Sequence, residues 1–183
     1  MELRALFSRK RMCLISLGFL PGIALAASDG TLGPTSTGSV NISITVPEQI
    51  KISKLADANL TDWTGSGNKS KNEKVCVYTN KPSGTYQVTL TGDGPGGSFV
   101  LTSPEPQELP YTVEWNDEPA NNANAVLASP GVTITGQTGA DTTSNTCSGG
   151  NTSNARVRIV SSEFNKVHAG TYTGNLSILV EPN

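Results

Sequence analysis

Two cysteines are the residues whose chemistry is most readily assigned from their type and spacing. Cys76 and Cys147 lie far apart in the chain, while Cys13 falls near its N-terminus. In an oxidising compartment two such thiols pair as a disulfide, and closing a long loop contributes roughly 4 kcal/mol to stability. The alternative is two buried free thiols. A zinc site would need more ligands, because His168 is the sole histidine of the sequence.

Three acidic residues and the histidine are the candidates for catalysis. Glu114, Asp117 and Glu118 could supply paired carboxylates, but neighbouring acids in a loop are usually only solvated. His168 lies beside no recognisable nucleophile or metal-ligand motif. We therefore expect no enzyme activity, no cofactor and no metal site.

Three aromatic residues could instead form a surface for stacking on sugars. Trp63, Tyr111 and Trp115 are the candidates, but Tyr111 and Trp115 alternate with Val113 on one face of a predicted strand. That arrangement favours packing in a core. Sugar binding stays as the alternative function, that of a secreted or periplasmic β-sandwich binding module such as a carbohydrate-binding adhesin.

The first 26 residues have the pattern of an export signal. A basic start ending in Lys10 and Arg11 precedes an apolar run over 12–26, and Ala24 and Ala26 provide small residues for cleavage. A membrane anchor is the competing interpretation, but the run is shorter than the roughly 20 apolar residues that span a bilayer. The sequence thus predicts a signal peptide over 1–26 and export of the remaining chain.

Composition restricts the class of the exported chain. Charged residues make up 15% and hydrophobic residues 36%, with 19 glycines and 11 prolines. Apolar residues do not recur at helical spacing over three turns, so a single all-β domain is predicted. The net charge of −2 gives no basic stripe for nucleic acid, which is therefore not expected as a partner.

Period-two alternation predicts roughly seven to nine short strands, which favours an immunoglobulin-like sandwich over a barrel. We expect 57–74 to be a loop or a short weak strand and 104–110 to be a proline-rich connection. The expected strands after the N-terminal segment contain Ile50 and Ile52, Val75 to Tyr78, Tyr86 to Leu90, Phe99 and Leu101, Tyr111 to Trp115, Ala155 to Ile159, and Leu176 to Val180. One or two further short strands contain Val126, Leu127, Val132 and Ile134.

The segment behind the export signal also alternates. Four branched apolar residues at every second position would share one face of an extended strand: Val40, Ile42, Ile44 and Val46, called the plug residues below. Such a strand at the start of a secreted β domain suggests a subunit that lends it to a neighbour. The alternative is that it folds as the first strand of its own domain. The predicted division is an N-terminal extension over 27–47 and a sandwich domain over 48–183.

Three sequence patterns resemble the pilin subunits of the chaperone–usher pathway, most closely its archaic branch with the spore coat protein U-like domains. The first is the alternation from Thr37 to Val46. The second is Val75-Cys76-Val77 followed by the strand from Tyr86 to Leu90, and the third is the ending from Gly170 to Val180.

This resemblance implies an immunoglobulin-like sandwich that lacks one strand and is completed by donor-strand exchange. The plug residues of one subunit would fill a groove in the next, and Leu176, Ile178 and Val180 would lie on the strand that borders the groove. It also implies sister subunits, a periplasmic chaperone and an outer-membrane usher as partners. The implied role is that of a structural subunit of a surface fimbria that supports adhesion or biofilm formation.

Overall fold

The computed structural model describes residues 27–105, 107–120 and 123–183. The predicted signal peptide, 1–26, lies outside these residues. The chain divides into two compact units between Thr45 and Val46, and each is described by itself. The predicted boundary between extension and sandwich domain, at residues 47 and 48, stays a prediction.

The described part of the first unit is closed by one antiparallel bridge. Ser28 and Ser39 exchange two backbone hydrogen bonds of 2.9 Å, and their hydroxyl oxygens are 2.8 Å apart. Residues 40–45 form no strand, so the strand-like pattern is not realised as sheet within this single chain. The side chains of Val40, Ile42 and Ile44 are 74%, 92% and 88% exposed.

The second unit is an all-β, immunoglobulin-like sandwich, as the sequence predicts. Its strands among the described residues are β1 (Ile50–Ser53), β2 (Lys69–Thr79), β3 (Tyr86–Gly92), β4 (Val100–Thr102), β5 (Glu108–Pro110), β6 (Thr112–Asn116), β7 (Val126–Leu127), β8 (Thr133–Gln137), β9 (Ser153–Ile159) and β10 (Leu176–Pro182). A 3₁₀ turn spans Pro95–Gly97, and a short helix, α1, spans Ser161–Phe164.

The strands form two principal antiparallel sheets and one small ribbon. The first sheet has the order β1-β2-β9-β6-β7 and the second has the order β10-β3-β8, while β4 pairs with β5. Pairing of β10 with β3 aligns Leu176 with Gly92 and Pro182 with Tyr86. The order of the second sheet places β10 at its edge.

The core lies between the two principal sheets. Trp115 and Tyr86 are its largest fully buried side chains, and their rings meet edge to face with centroids 6.5 Å apart. The Tyr86 hydroxyl lies 2.9 Å from that of Ser153, which gives this buried polar group a partner. Tyr111, directly before β6, and Val113 on it are buried with Trp115, as the alternation of the sequence predicts.

Two elements differ from the sequence-based expectation. β2 begins at Lys69, although 57–74 was expected to be a loop or weak strand, because main-chain pairing of Lys69–Val75 with β9 supports a polar stretch. The expected proline-rich connection contains β5, and Pro110 is tolerated at its end because that strand pairs on one side only. Among the described residues no helix is long and apolar enough to cross a membrane.

Candidate functional site

The path of the chain after β1 opens one side of the sandwich. Lys54 has a φ of 62°, in the left-handed region that side chains other than glycine rarely adopt, and its ammonium donates a hydrogen bond of 2.8 Å to the Cys147 carbonyl. β1 therefore ends at Ser53 after pairing with residues 76–79 of β2. In the described part of the chain no strand follows it along 69–75, which pair with β9 alone.

Cys147 is held in place by a disulfide. Cys76 of β2 and Cys147 of the loop between β8 and β9 are bonded, with Cα atoms 5.8 Å apart and both side chains fully buried. This covalent link fixes the position of the Cys147 carbonyl, which accepts the hydrogen bond from the Lys54 ammonium. The disulfide thus supports the point at which β1 leaves the sheet.

Beyond that point lies a groove with a volume of about 1050 Å³, formed within the second unit. Its floor is largely apolar and consists of Leu101, Leu109, Tyr111, Ala155, Val157 and Ile159. Because alternate residues of a strand share a face, Ala155, Val157 and Ile159 repeat along β9 at the same two-residue period as the plug residues. They span about 13 Å of strand at 3.3 Å per residue.

One wall of the groove is the edge strand β10. Leu176 and Ile178, two of the three predicted border residues, line the groove. Val180 packs against the core on the same strand but is not among the lining residues. In the described part of the chain β3 is the single strand paired with β10, so β10 is an edge strand of its sheet. The backbone groups along the outer edge of such a strand are available for pairing with another strand.

The irregular segment 55–63 also lines the groove. Trp63 stacks on Phe164 of α1, with ring centroids 5.0 Å apart and planes 11° apart, and its indole N–H donates to the Gly67 carbonyl at 3.1 Å. Trp63 therefore uses a ring face within the protein, while Tyr111 and Trp115 are 6% and 0% exposed. The three aromatic candidates do not meet as an exposed sugar-stacking platform.

A network around Gln107 ties the loop that precedes β10. Its carboxamide oxygen accepts a 2.7 Å bond from the His168 backbone N–H, its nitrogen lies 2.6 Å from His168 Nδ1, and the Tyr172 hydroxyl lies 3.0 Å from its oxygen. Thr102 and Thr173 add a two-bond antiparallel bridge. His168 thus has a structural partner, which sequence reasoning missed because Gln107 lies 61 positions away.

The acidic candidates for catalysis are dispersed. Glu114 is ion-paired with Arg156, Asp117 accepts a 3.0 Å bond from the Thr138 backbone N–H, and Glu118 is exposed. No cluster of three or more metal-ligating side chains occurs in the ranges that the structure describes.

Burial changes the ionisation of two tyrosines near the groove and core. Removal from water raises the pKa of Tyr111, on the groove floor, to about 12. Burial also raises the pKa of Tyr86 to about 12 against the opposing effect of its bond to Ser153. Both hydroxyls are therefore neutral at physiological pH, and the groove floor carries no tyrosinate charge.

Comparison with solved structures finds chains of similar fold. No protein-family model matches the sequence, and no curated protein matches it. A chain in a solved structure of a chaperone–tip adhesin complex, described as vital for synergistic activation of CFA/I fimbriae biogenesis, superposes with a TM-score of 0.47 at 19% identity. The match covers 74% of this chain and 41% of the other, so this chain spans less than half of that chain's length.

Proposed function

We propose that this chain is a structural subunit of a bacterial surface fimbria that assembles by donor-strand complementation. The N-terminal extension of one subunit inserts its plug residues into the groove of the next. The chain is exported through the periplasm to the cell surface, where the fimbria supports adhesion or biofilm formation. Its partners are sister subunits, a periplasmic chaperone and an outer-membrane usher, and it has no catalytic role.

The groove beside β10 is the observation that carries this proposal. Its floor offers Ala155, Val157 and Ile159 at the spacing of a β-strand, and its wall offers an unpaired strand edge. These are the two requirements of strand addition, in which main-chain hydrogen bonds give affinity and alternate side chains enter pockets. The resemblance of the sequence to chaperone–usher pilins agrees with this use of the groove.

The energetics favour insertion. Three plug residues in the extension are at least 74% exposed, and Val46 is 70% exposed, so most of their apolar surface is in water. Burying one such side chain contributes about 1.5 to 3 kcal/mol, and four contribute on the order of 6 to 12 kcal/mol before the cost of ordering the strand. Backbone pairing with β10 adds to this gain.

Removal of the extension tests the proposal. A variant that lacks 27–46 has an unfilled groove and no strand to donate, so it should stay monomeric in sedimentation analysis. A matched variant that lacks only 27–36 retains all four plug residues and should still form polymers. Polymers of the first variant that persist at the same concentration would contradict the proposal.

A synthetic peptide of residues 37–49 supplies the missing strand in trans. It should bind the variant that lacks 27–46 and raise its melting temperature, because a ligand that binds only the folded state stabilises that state. A peptide with the plug residues replaced by serine is the control and should have no effect. Equal effects of the two peptides would show that the alternating apolar side chains are not recognised.

A further inference from the structure

Glu73 is an acidic residue at a position where the pattern of β2 calls for an apolar one. It pairs across the sheet with Ala155, and Val75, two residues further along, is fully buried. Residues directly opposite each other in an antiparallel pair have side chains on the same face. Glu73 therefore faces the same side as the apolar floor, and it lines the groove.

One carboxylate oxygen of Glu73 is buried without a partner. Its Oε1 makes no hydrogen bond, and no ion pair to Glu73 occurs within the described residues. Asp57, Asp62 and Lys69 also line the groove, and the Lys69 ammonium donates to the Thr61 hydroxyl at 3.1 Å. A buried acceptor that lacks a donor is costly, and a charged acceptor more so. The groove thus contains a polar position that an incoming strand can satisfy.

The chain's own extension cannot supply a cation at this position. Between Ala27 and Pro47 the single charged residue is Asp29, and lysine and arginine are absent. The plug residues that would face the floor are all aliphatic. Insertion of a second copy would therefore cover the carboxylate with hydrocarbon.

We propose that the groove prefers a strand from a different polypeptide, in which alternating apolar residues are interrupted by one lysine or arginine that pairs with Glu73. This inference rests on the proposed function, because it takes the groove as a strand-binding site. The basic side chain forms a charge-assisted hydrogen bond with the buried oxygen, which is stronger than a neutral one. Glu73 is thus a residue that determines which strand the subunit accepts.

Peptide binding to the exported chain, 27–183, tests this preference at a concentration where the chain is monomeric. The probes are the peptide of residues 37–49 and four versions of it, each with lysine at one plug residue, measured by fluorescence anisotropy. Lysine should weaken binding by more than about tenfold at three positions, because an unpaired ammonium is excluded from an apolar groove. At the position beside Glu73 binding should equal or exceed that of the unsubstituted peptide.

Two variants test whether the Glu73 carboxylate is the reason that lysine is tolerated at one plug position, which is called the exception below. Glu73→Gln should abolish it, so that all four lysine peptides bind more weakly than the parent peptide. Glu118→Gln makes the same change of charge at an exposed loop residue outside the groove lining and should preserve the exception.

Each result of this experiment separates the inference from the proposed function. If the parent peptide binds and all four lysine peptides are weakened, the preference is wrong and the strand-binding groove stands. If one lysine peptide binds and the parent does not, the preference stands and assembly from identical copies is wrong. An exception that persists in Glu73→Gln overturns the role of Glu73, and failure of every peptide overturns both proposals.

Discussion

Replacement of Ile42 by aspartate should stop assembly without unfolding the subunit. Ile42 is 92% exposed in the single chain, and substitutions at such positions usually change stability by less than about 0.5 kcal/mol. In the proposed assembly the same position faces the apolar groove of the next subunit. The substitution therefore separates the energetics of assembly from those of folding.

The magnitude follows from the loss of one buried aliphatic side chain and the gain of one buried charge. The first costs about 1.5 to 3 kcal/mol, and an unpaired carboxylate in an apolar site adds at least a further 1 to 3 kcal/mol. Together these amount to about 3 kcal/mol or more, which weakens subunit association by over roughly a hundredfold.

Size-exclusion chromatography in mild denaturant measures this effect. The parent chain should elute as polymers that resist the denaturant, and Ile42→Asp should elute as a monomer with an unchanged circular dichroism spectrum. Ser43→Asp introduces the same charge on the opposite face of the strand and should assemble nearly as well as the parent. Equal loss of assembly in both variants, or in neither, would refute the assignment of Ile42 to the groove.

Three further predictions concern the sandwich itself. Replacing Cys76 and Cys147 together by alanine should lower the free energy of unfolding by roughly 4 kcal/mol in urea titrations, and reduction of the parent chain should do the same. Tyr86 and Tyr111 have folded-state pKa values of about 12, against an ordinary value of 10.0, so each stabilises the fold fully below pH 10. Between pH 10 and 12 Tyr86 should lose on the order of 2 to 3 kcal/mol of that stability, and Tyr111 should lose less because solvent at the groove screens it. A flat stability profile over this range would contradict their burial. Trp115→Ala should cost about 3 to 5 kcal/mol, because it empties a fully buried site, and the parent monomer should show no glycan binding that depends on this ring.

The fold class and much of the core could be predicted from the sequence because they depend on local alternation. Tyr111 and Trp115 alternate with Val113, and the structure buries all three. Leu176 and Ile178 alternate near the end of the chain, and the structure places them on an edge strand that lines the groove. In both cases apolar residues at every second position indicate which side chains of the strand face the core.

Features that depend on distant partners were missed. The first half of β2 is polar, and its sequence alone suggests that Glu73 is solvated. The pairing of Glu73 with Ala155 instead places it on the inner face of the sheet. Gln107 organises His168 across 61 positions of sequence. Lys54 adopts a left-handed conformation directly after β1, and lysine gives no sequence signal for it.

Cysteine cross-linking between two copies tests the central claim most directly. One copy carries Ile44→Cys in its extension, the other carries Ile178→Cys in the groove wall, and the two carry different affinity tags. The native disulfide is fully buried and should not exchange with the new thiols. Insertion of the extension into a neighbouring subunit predicts a covalent dimer that contains both tags. A cross-link that forms only when both cysteines are in the same chain would show that the extension fills its own groove, and would contradict assembly by strand donation.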